Sequence, residues 1–238
     1  MLHSRSRKAL GIFALSLAVY GTAQPPCTMT VSPWQSLQSV LESAPPGAVI
    51  CLTAGVWLQG IAIKDKILTL WGAGRDQTFF LNTSGALVDG ISVSGQSIVT
   101  IRGLGISNFR DGIVANGYSR VAVHDAQISA NTRYGLHALG VSEVTLENSL
   151  ISYNRGGILA EDSAHVAAQS SQVLNNQEDG IWLDFASWAW LIDNTIAHNK
   201  RYGIHLYSLE GLFVCRRNTV INNKAGDFHP EIAAQKCQ

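Results

Sequence analysis

The chain has 238 residues with 17 basic and 17 acidic side chains, four cysteines and 46% apolar residues. This composition excludes a disordered chain, and a balanced charge without a basic stripe gives no footprint for nucleic acid. Only the first residues depart from the average: Arg5, Arg7 and Lys8 precede an apolar run over residues 9–20, then Gly21-Thr22-Ala23. A basic start, a short apolar run and small residues predict a secretory signal peptide over residues 1–23, cleaved near Ala23. The apolar run is too short for a membrane span, so the mature chain, residues 24–238, is expected to have none. Cleavage would leave 14 basic and 17 acidic groups, a net charge of −3, in a secreted or periplasmic protein.

The next segment predicts a cap helix over about residues 33–43. Ser32 is expected as N-cap, Pro33 at the first helical position and Gln35 completing a capping box. Trp34, Leu37, Val40 and Leu41 would share its apolar face. Pro45-Pro46-Gly47 stops it, and short apolar strands follow through Ala48 to Leu52, Gly55-Val56-Trp57 and Ile67 to Gly74.

From about residue 85 to 228 the chain repeats. Gly112, Gly135, Gly157, Gly180, Gly203 and Gly226 follow one another at steps of 23, 22, 23, 23 and 23 residues, with Gly90 one step earlier. An Asn stands three or four residues before each: Asn108, Asn131, Asn154, Asn176, Asn199 and Asn222. Such a period marks units that bury their apolar faces only against their neighbours. Alternation in Val121-Ala122-Val123 and Val144-Thr145-Leu146 marks strands. Two or three short strands per unit make one coil of a parallel β-helix. The Asn residues are expected at turns, able to stack in an amide ladder, and the glycines where the backbone needs positive φ or close approach.

These repeats, with the preceding helix, the Pro-Pro-Gly turn, Gly-Val-Trp57 and the strand running into Gly72-Ala73-Gly74, resemble right-handed parallel β-helix proteins of the pectin-lyase-like superfamily. The resemblance implies an all-β, single-domain solenoid with an N-terminal cap. It leaves activity open, since the superfamily includes lyases, hydrolases, esterases, epimerases and proteins without chemistry. The motifs of its characterised activities are not matched. No cluster of Asp shares a strand face, no Gly-His-Gly is present, and Phe228-His229-Pro230-Glu231 has a different order from the epimerase Asp-Pro-His-Glu and is expected outside the coils.

Four cysteines in an exported chain allow three pairings; Cys27–Cys51 and Cys215–Cys237 are favoured, because each would close one exposed end of the solenoid. After each repeat glycine the first and third residues are apolar and should face inward. The second and fourth then face outward: Val114/Asn116, His137/Leu139, Leu159/Glu161, Trp182/Asp184 and His205/Tyr207. Adjacent coils lie about 4.8 Å apart, so Glu161 and Asp184 are expected as a carboxylate pair suited to acid–base catalysis. Trp182, His205, Tyr207 and His137 would meet sugar rings. Arg133, Arg155 and Arg201, in a row with Arg110, would meet acidic sugars, unless they form a solvated row paired with Glu178 and Asp179.

The expectation is therefore an exported protein that binds an extended polysaccharide along its strand face and, if an enzyme, cleaves or epimerises it. The alternative is a non-catalytic structural or adhesive cell-surface module. Periplasmic copper handling is a third option, resting on His124, His137, His165, His198 and His205. His137 and His205 stand three coils apart, about 14 Å, too far for one metal ion. No cofactor or resident metal is expected, and oligomeric state is left open.

Overall fold

The computed structural model describes residues 25–184, 187–208 and 213–237; the expected signal peptide lies outside them. Three parallel sheets of nine, eight and eight strands run along a single coil axis. Every coil contributes one strand to each, and in-register pairs lock neighbouring coils, as in Ile158↔Ile181↔Ile204. The all-β parallel β-helix expected from the repeats is the architecture observed. Its interior holds Ile113, Leu136, Ile158, Ile181 and Ile204 in one buried column.

The Asn ladder exists, displaced by one residue at its ends. Phe109 N–H donates to Asn131 Oδ1; Asn131, Asn154, Asn176 and Asn199 each donate their backbone N–H at 3.0 Å to the next rung, and the series ends at Asn223 and Asp227. Asn108 and Asn222 are not rungs. They hold the preceding turn position with φ of 64° and 58°, as do Ala130 and Tyr153 at 56° and 59°. The tight turn imposes that left-handed backbone on whichever residue falls there, while the next residue must carry the buried amide. A second turn ladder, not expected from the sequence, runs from Ser149 through Ser171 and Asn194 to Asn218.

The repeat glycines from Gly112 to Gly203 serve close approach, whereas Gly226 takes a φ of 144°. A Cβ at Gly180 would stand 2.6 Å from Asn199 Nδ2 and 2.7 Å from Gly203 O. Without a side chain the strand start packs directly on the amide ladder.

Both ends are covered. The cap helix spans Leu37–Ser43 with Ser36 as N-cap, so it begins later than the expected residue 33. The reason is local. Gln35 Oε1 does accept the Ser32 N–H at 2.8 Å, but Gln35 N–H closes a turn onto Ser32 O at 2.9 Å, and the helix restarts when Ser36 Oγ accepts the Ser39 N–H. Trp34 therefore leaves the apolar face and is 85% exposed, while Leu37 and Leu41 are buried. The Gln38 amide bonds both the N–H and the C=O of Ala62, satisfying the first strand of its sheet as a neighbouring strand would. Cys27–Cys51 and Cys215–Cys237 are the two disulfides, as expected. The first clamps the edge strand Met29–Val31 rather than the helix itself; the second ties down the 3-10 helix Glu231–Lys236, whose Ala233 plugs the last coil. Two disulfides are the chemistry of an oxidising compartment. No described helix is long and apolar enough to cross a membrane.

Candidate functional site

The sheet formed by Ile61–Lys64, Ile91–Ser94, Ile113–Ala115, Tyr134–Ala138, Gly156–Ala160, Ile181–Leu183, Tyr202–Leu206 and Gly226–His229 carries the chemically dense face. Its register places Ser92, Val114, His137, Leu159, Trp182, His205 and His229 in one column outside the core. His229 belongs to this column, contrary to the expectation that it lies outside the coils. The last turn takes 24 residues between Asn199 and Asn223, so Gly226 pairs with Tyr202 and His229 lands beside His205.

The outward positions are not uniformly open. Val114 and Leu159 are buried without joining the core cluster, and the His137 side chain is only 3% exposed. His137 is covered by the groups it bonds. Its Nε2 meets Glu161 Oε1 of the next coil at 3.0 Å. Its Nδ1 lies 3.0 Å from Arg133 Nη2 and 3.4 Å from Asp111 Oδ2. A guanidinium only donates, so Nδ1 accepts from Arg133 and the ring proton sits on Nε2, donated to Glu161. Glu161 is thus committed to His137 in the preceding coil rather than held as a free partner for Asp184. Asp184 starts the next turn, its carbonyl accepting from Ser187 N–H at 3.1 Å.

Asp111, which the alternation did not single out, anchors this cluster. It is fully buried; Arg133 forks onto it through Nε and Nη2, and Tyr134 N–H donates to Oδ1 at 2.9 Å. Burial by itself would push its carboxyl up. The fork from Arg133 and the Tyr134 N–H more than reverse this and hold it far below the usual carboxylate range. The Asp111 hydrogen bond in turn raises Arg133, and burial raises the Tyr134 phenol.

Three coils further on, the same parts recur. Asp179 is buried, Tyr202 N–H donates to its Oδ1 at 2.9 Å, and Arg201 Nη1 lies 3.2 Å from Oδ2. His205 Nδ1 stands 3.0 Å from the same Oδ2 and donates to it. The His205 ring stacks on Trp182 with centroids 5.5 Å apart and planes at 8°, and His229 meets it edge-on at 4.9 Å. Tyr202 contacts both His205 and His229, and Tyr207, 62% exposed, lies in the next outward position. The sequence did carry a signal for both clusters: Asp-Gly at 111 and 179, each 22 residues before Arg-Tyr-Gly-aliphatic-His at 133 and 201.

The arginine row is a row of ion pairs. Arg110 forks onto Asp89 at 2.9 and 2.8 Å, Arg155 reaches Glu178 at 2.9 Å, and Arg133 and Arg201 hold Asp111 and Asp179. Among the described residues no three His, Cys, Asp or Glu side chains gather as a metal site.

Stacked parallel coils, a buried Asn ladder and capped ends define a class, the parallel β-solenoids. The profile described as a right handed beta helix region matches residues 89–229, more than half of the chain, and the protein belongs to that family. No curated protein matches it in sequence. Among solved structures it is similar to a pectate lyase, with a TM-score of 0.50 at 12% identity, covering 84% of this chain and 55% of that one. The chain thus spans about half the length of that relative. A pectin methylesterase from Erwinia chrysanthemi is similar at a TM-score of 0.50 and 10% identity, over 88% of this chain and 95% of that one. Identities this low establish the shared fold alone.

Proposed function

We propose that this protein is exported by its N-terminal signal peptide and binds an extended, acidic polysaccharide along the sheet that runs from Ile61–Lys64 to Gly226–His229. The grip lies around Trp182, Arg201, Tyr202, His205 and Tyr207. The observation that carries the reading is the parallel stack of Trp182 on His205 beside the half-exposed Arg201 and the exposed Tyr207. Flat rings suit the C–H faces of sugars, and a guanidinium beside them suits a carboxylate. A solenoid offers one such position per coil, which matches a polymer better than a small molecule. The fold is shared with a pectate lyase and a pectin methylesterase, which supports a carbohydrate ligand.

The pair Glu161 and Asp184 is a weaker candidate for catalysis than their spacing alone suggested, because Glu161 closes over His137. The geometry favours binding as the primary activity. Calorimetric titration with polygalacturonate and with alginate tests it. Trp182→Ala should weaken binding at least about tenfold with an unchanged circular dichroism spectrum, since the side chain lies outside the core. Equal affinity of the parent and Trp182→Ala for a bound polymer would move the site elsewhere. Absence of binding to any polysaccharide would favour a structural surface module.

A further inference from the structure

The two Asp-Arg-Tyr-His clusters differ at one decisive point. In the first, His137 is closed on both sides: Nδ1 accepts from Arg133 and Nε2 donates to Glu161. In the second, Nδ1 donates to the buried Asp179, and Nε2 meets no hydrogen-bonding partner among the described residues. His205 is also more open, at 14% exposed against 3% for His137. Arg133 spends Nε and Nη2 on Asp111, whereas Arg201 approaches Asp179 through Nη1. One copy is locked; the other leaves a ring nitrogen that no described group caps.

We propose that Asp179 and His205 form a general-base dyad that hydrolyses an ester carried by the bound sugar. The proposal rests on the polysaccharide-binding reading for its substrate class and on the dyad geometry for its chemistry. A carboxylate fixed on Nδ1 sets the tautomer that leaves the Nε2 lone pair available, and it stabilises the imidazolium formed on protonation. His205 is the catalytic residue and Asp179 its positioning residue.

The step balances without a cofactor. A water oxygen bonds to the ester carbonyl carbon as its proton passes to His205 Nε2, and the carbonyl electron pair moves onto the carbonyl oxygen. The returning pair expels the sugar oxygen, which takes the proton back from Nε2. One water is consumed, one acyl C–O bond breaks, and a carboxylic acid and a free hydroxyl form. The ring of Trp182 beneath His205 would position the sugar for this attack.

The test uses the disulfide-intact protein and p-nitrophenyl acetate, a probe that needs no polysaccharide. Catalysis by the dyad requires hydrolysis above the rate of the same concentration of free imidazole. His205→Ala should lower the rate at least about tenfold, the lower side of what general-base catalysis supplies. Added imidazole should restore part of the loss. Asp179→Asn should lower kcat with little change in KM, as expected when a base is misoriented. His198→Asn, at an exposed turn, should leave the rate unchanged. Parent protein no faster than free imidazole, full activity in His205→Ala, or failure of imidazole to rescue a folded His205→Ala would overturn the proposal. Ester hydrolysis without polysaccharide binding would sink the binding reading alone, and binding without hydrolysis would sink the dyad alone.

Discussion

Replacing Asn176 with Ala removes one rung from the middle of the ladder, and the cost follows from the partners it leaves. Asn176 Oδ1 accepts the Asn154 backbone N–H at 3.0 Å and Asn154 Nδ2 at 3.2 Å, and its own Nδ2 donates to Asn199 Oδ1 at 2.9 Å. Asn154 Nδ2 keeps a second acceptor in Ile128 O, and Asn199 Oδ1 keeps the Asn176 backbone N–H. The Asn154 N–H keeps nothing and is buried. An orphaned buried donor costs about 1–3 kcal/mol and each of two further hydrogen bonds about 1 kcal/mol, so the total is about 3–5 kcal/mol. In a domain of this size that lowers Tm by about 10 °C. Thermal unfolding followed by circular dichroism measures it, with Asn175→Ala as control. Asn175 occupies the left-handed turn position that Ala130 fills in another coil, at φ of 57° and 56°, so the control should cost no more than about 1 kcal/mol. A control that destabilises as much as Asn176→Ala would refute the assignment of ladder and turn positions.

Two further predictions concern the core and the buried acid. Ile181→Asp buries an unpaired charge in the interior column and should yield no folded soluble protein; recovery of a normal spectrum and melting curve would contradict the inward assignment. For Asp111, the folded carboxyl lies below its ordinary value of 3.8, so its ionisation stabilises the fold fully above that pH and progressively less below it. Asp111→Asn should therefore be less stable than the parent at neutral pH, with the difference shrinking as pH falls below about 4. A gap in Tm that stays constant down to the acid transition would show that the charge is not what matters.

Much of the fold was legible because a solenoid repeats its own evidence. The glycine period set the coil length, alternation gave the inward column from Ile113 to Ile204, and the terminal cysteines pointed to both bridges. What failed was phase. Asn175 and Asn176, or Asn222 and Asn223, are adjacent and chemically identical, and only the backbone separates the turn residue from the rung. The cap helix was placed too early because Ser32 and Ser36 are both competent caps, and a turn between them took the first. In the site, alternation placed His137, Trp182 and His205 in one column, yet it said nothing of Asp111 and Asp179. These precede the glycine, outside the alternating window, and reach the histidines from a neighbouring coil. Their spacing relative to Arg-Tyr-Gly was the available signal. His229 was missed because a longer final turn shifted it into register.

Polymer is expected to meet protein on the sheet from Ile61–Lys64 to Gly226–His229. Hydrogen–deuterium exchange with and without a bound acidic oligosaccharide, read by mass spectrometry, tests this without any substitution. Slowed exchange should appear in peptides covering Ile181–Leu183 and Tyr202–Leu206, fading toward Ile113–Ala115, with no change in Trp188–Ile192 on the nine-stranded face. Protection centred on Trp188–Ile192 and the strands beside it would place the ligand on the nine-stranded sheet and contradict this expectation.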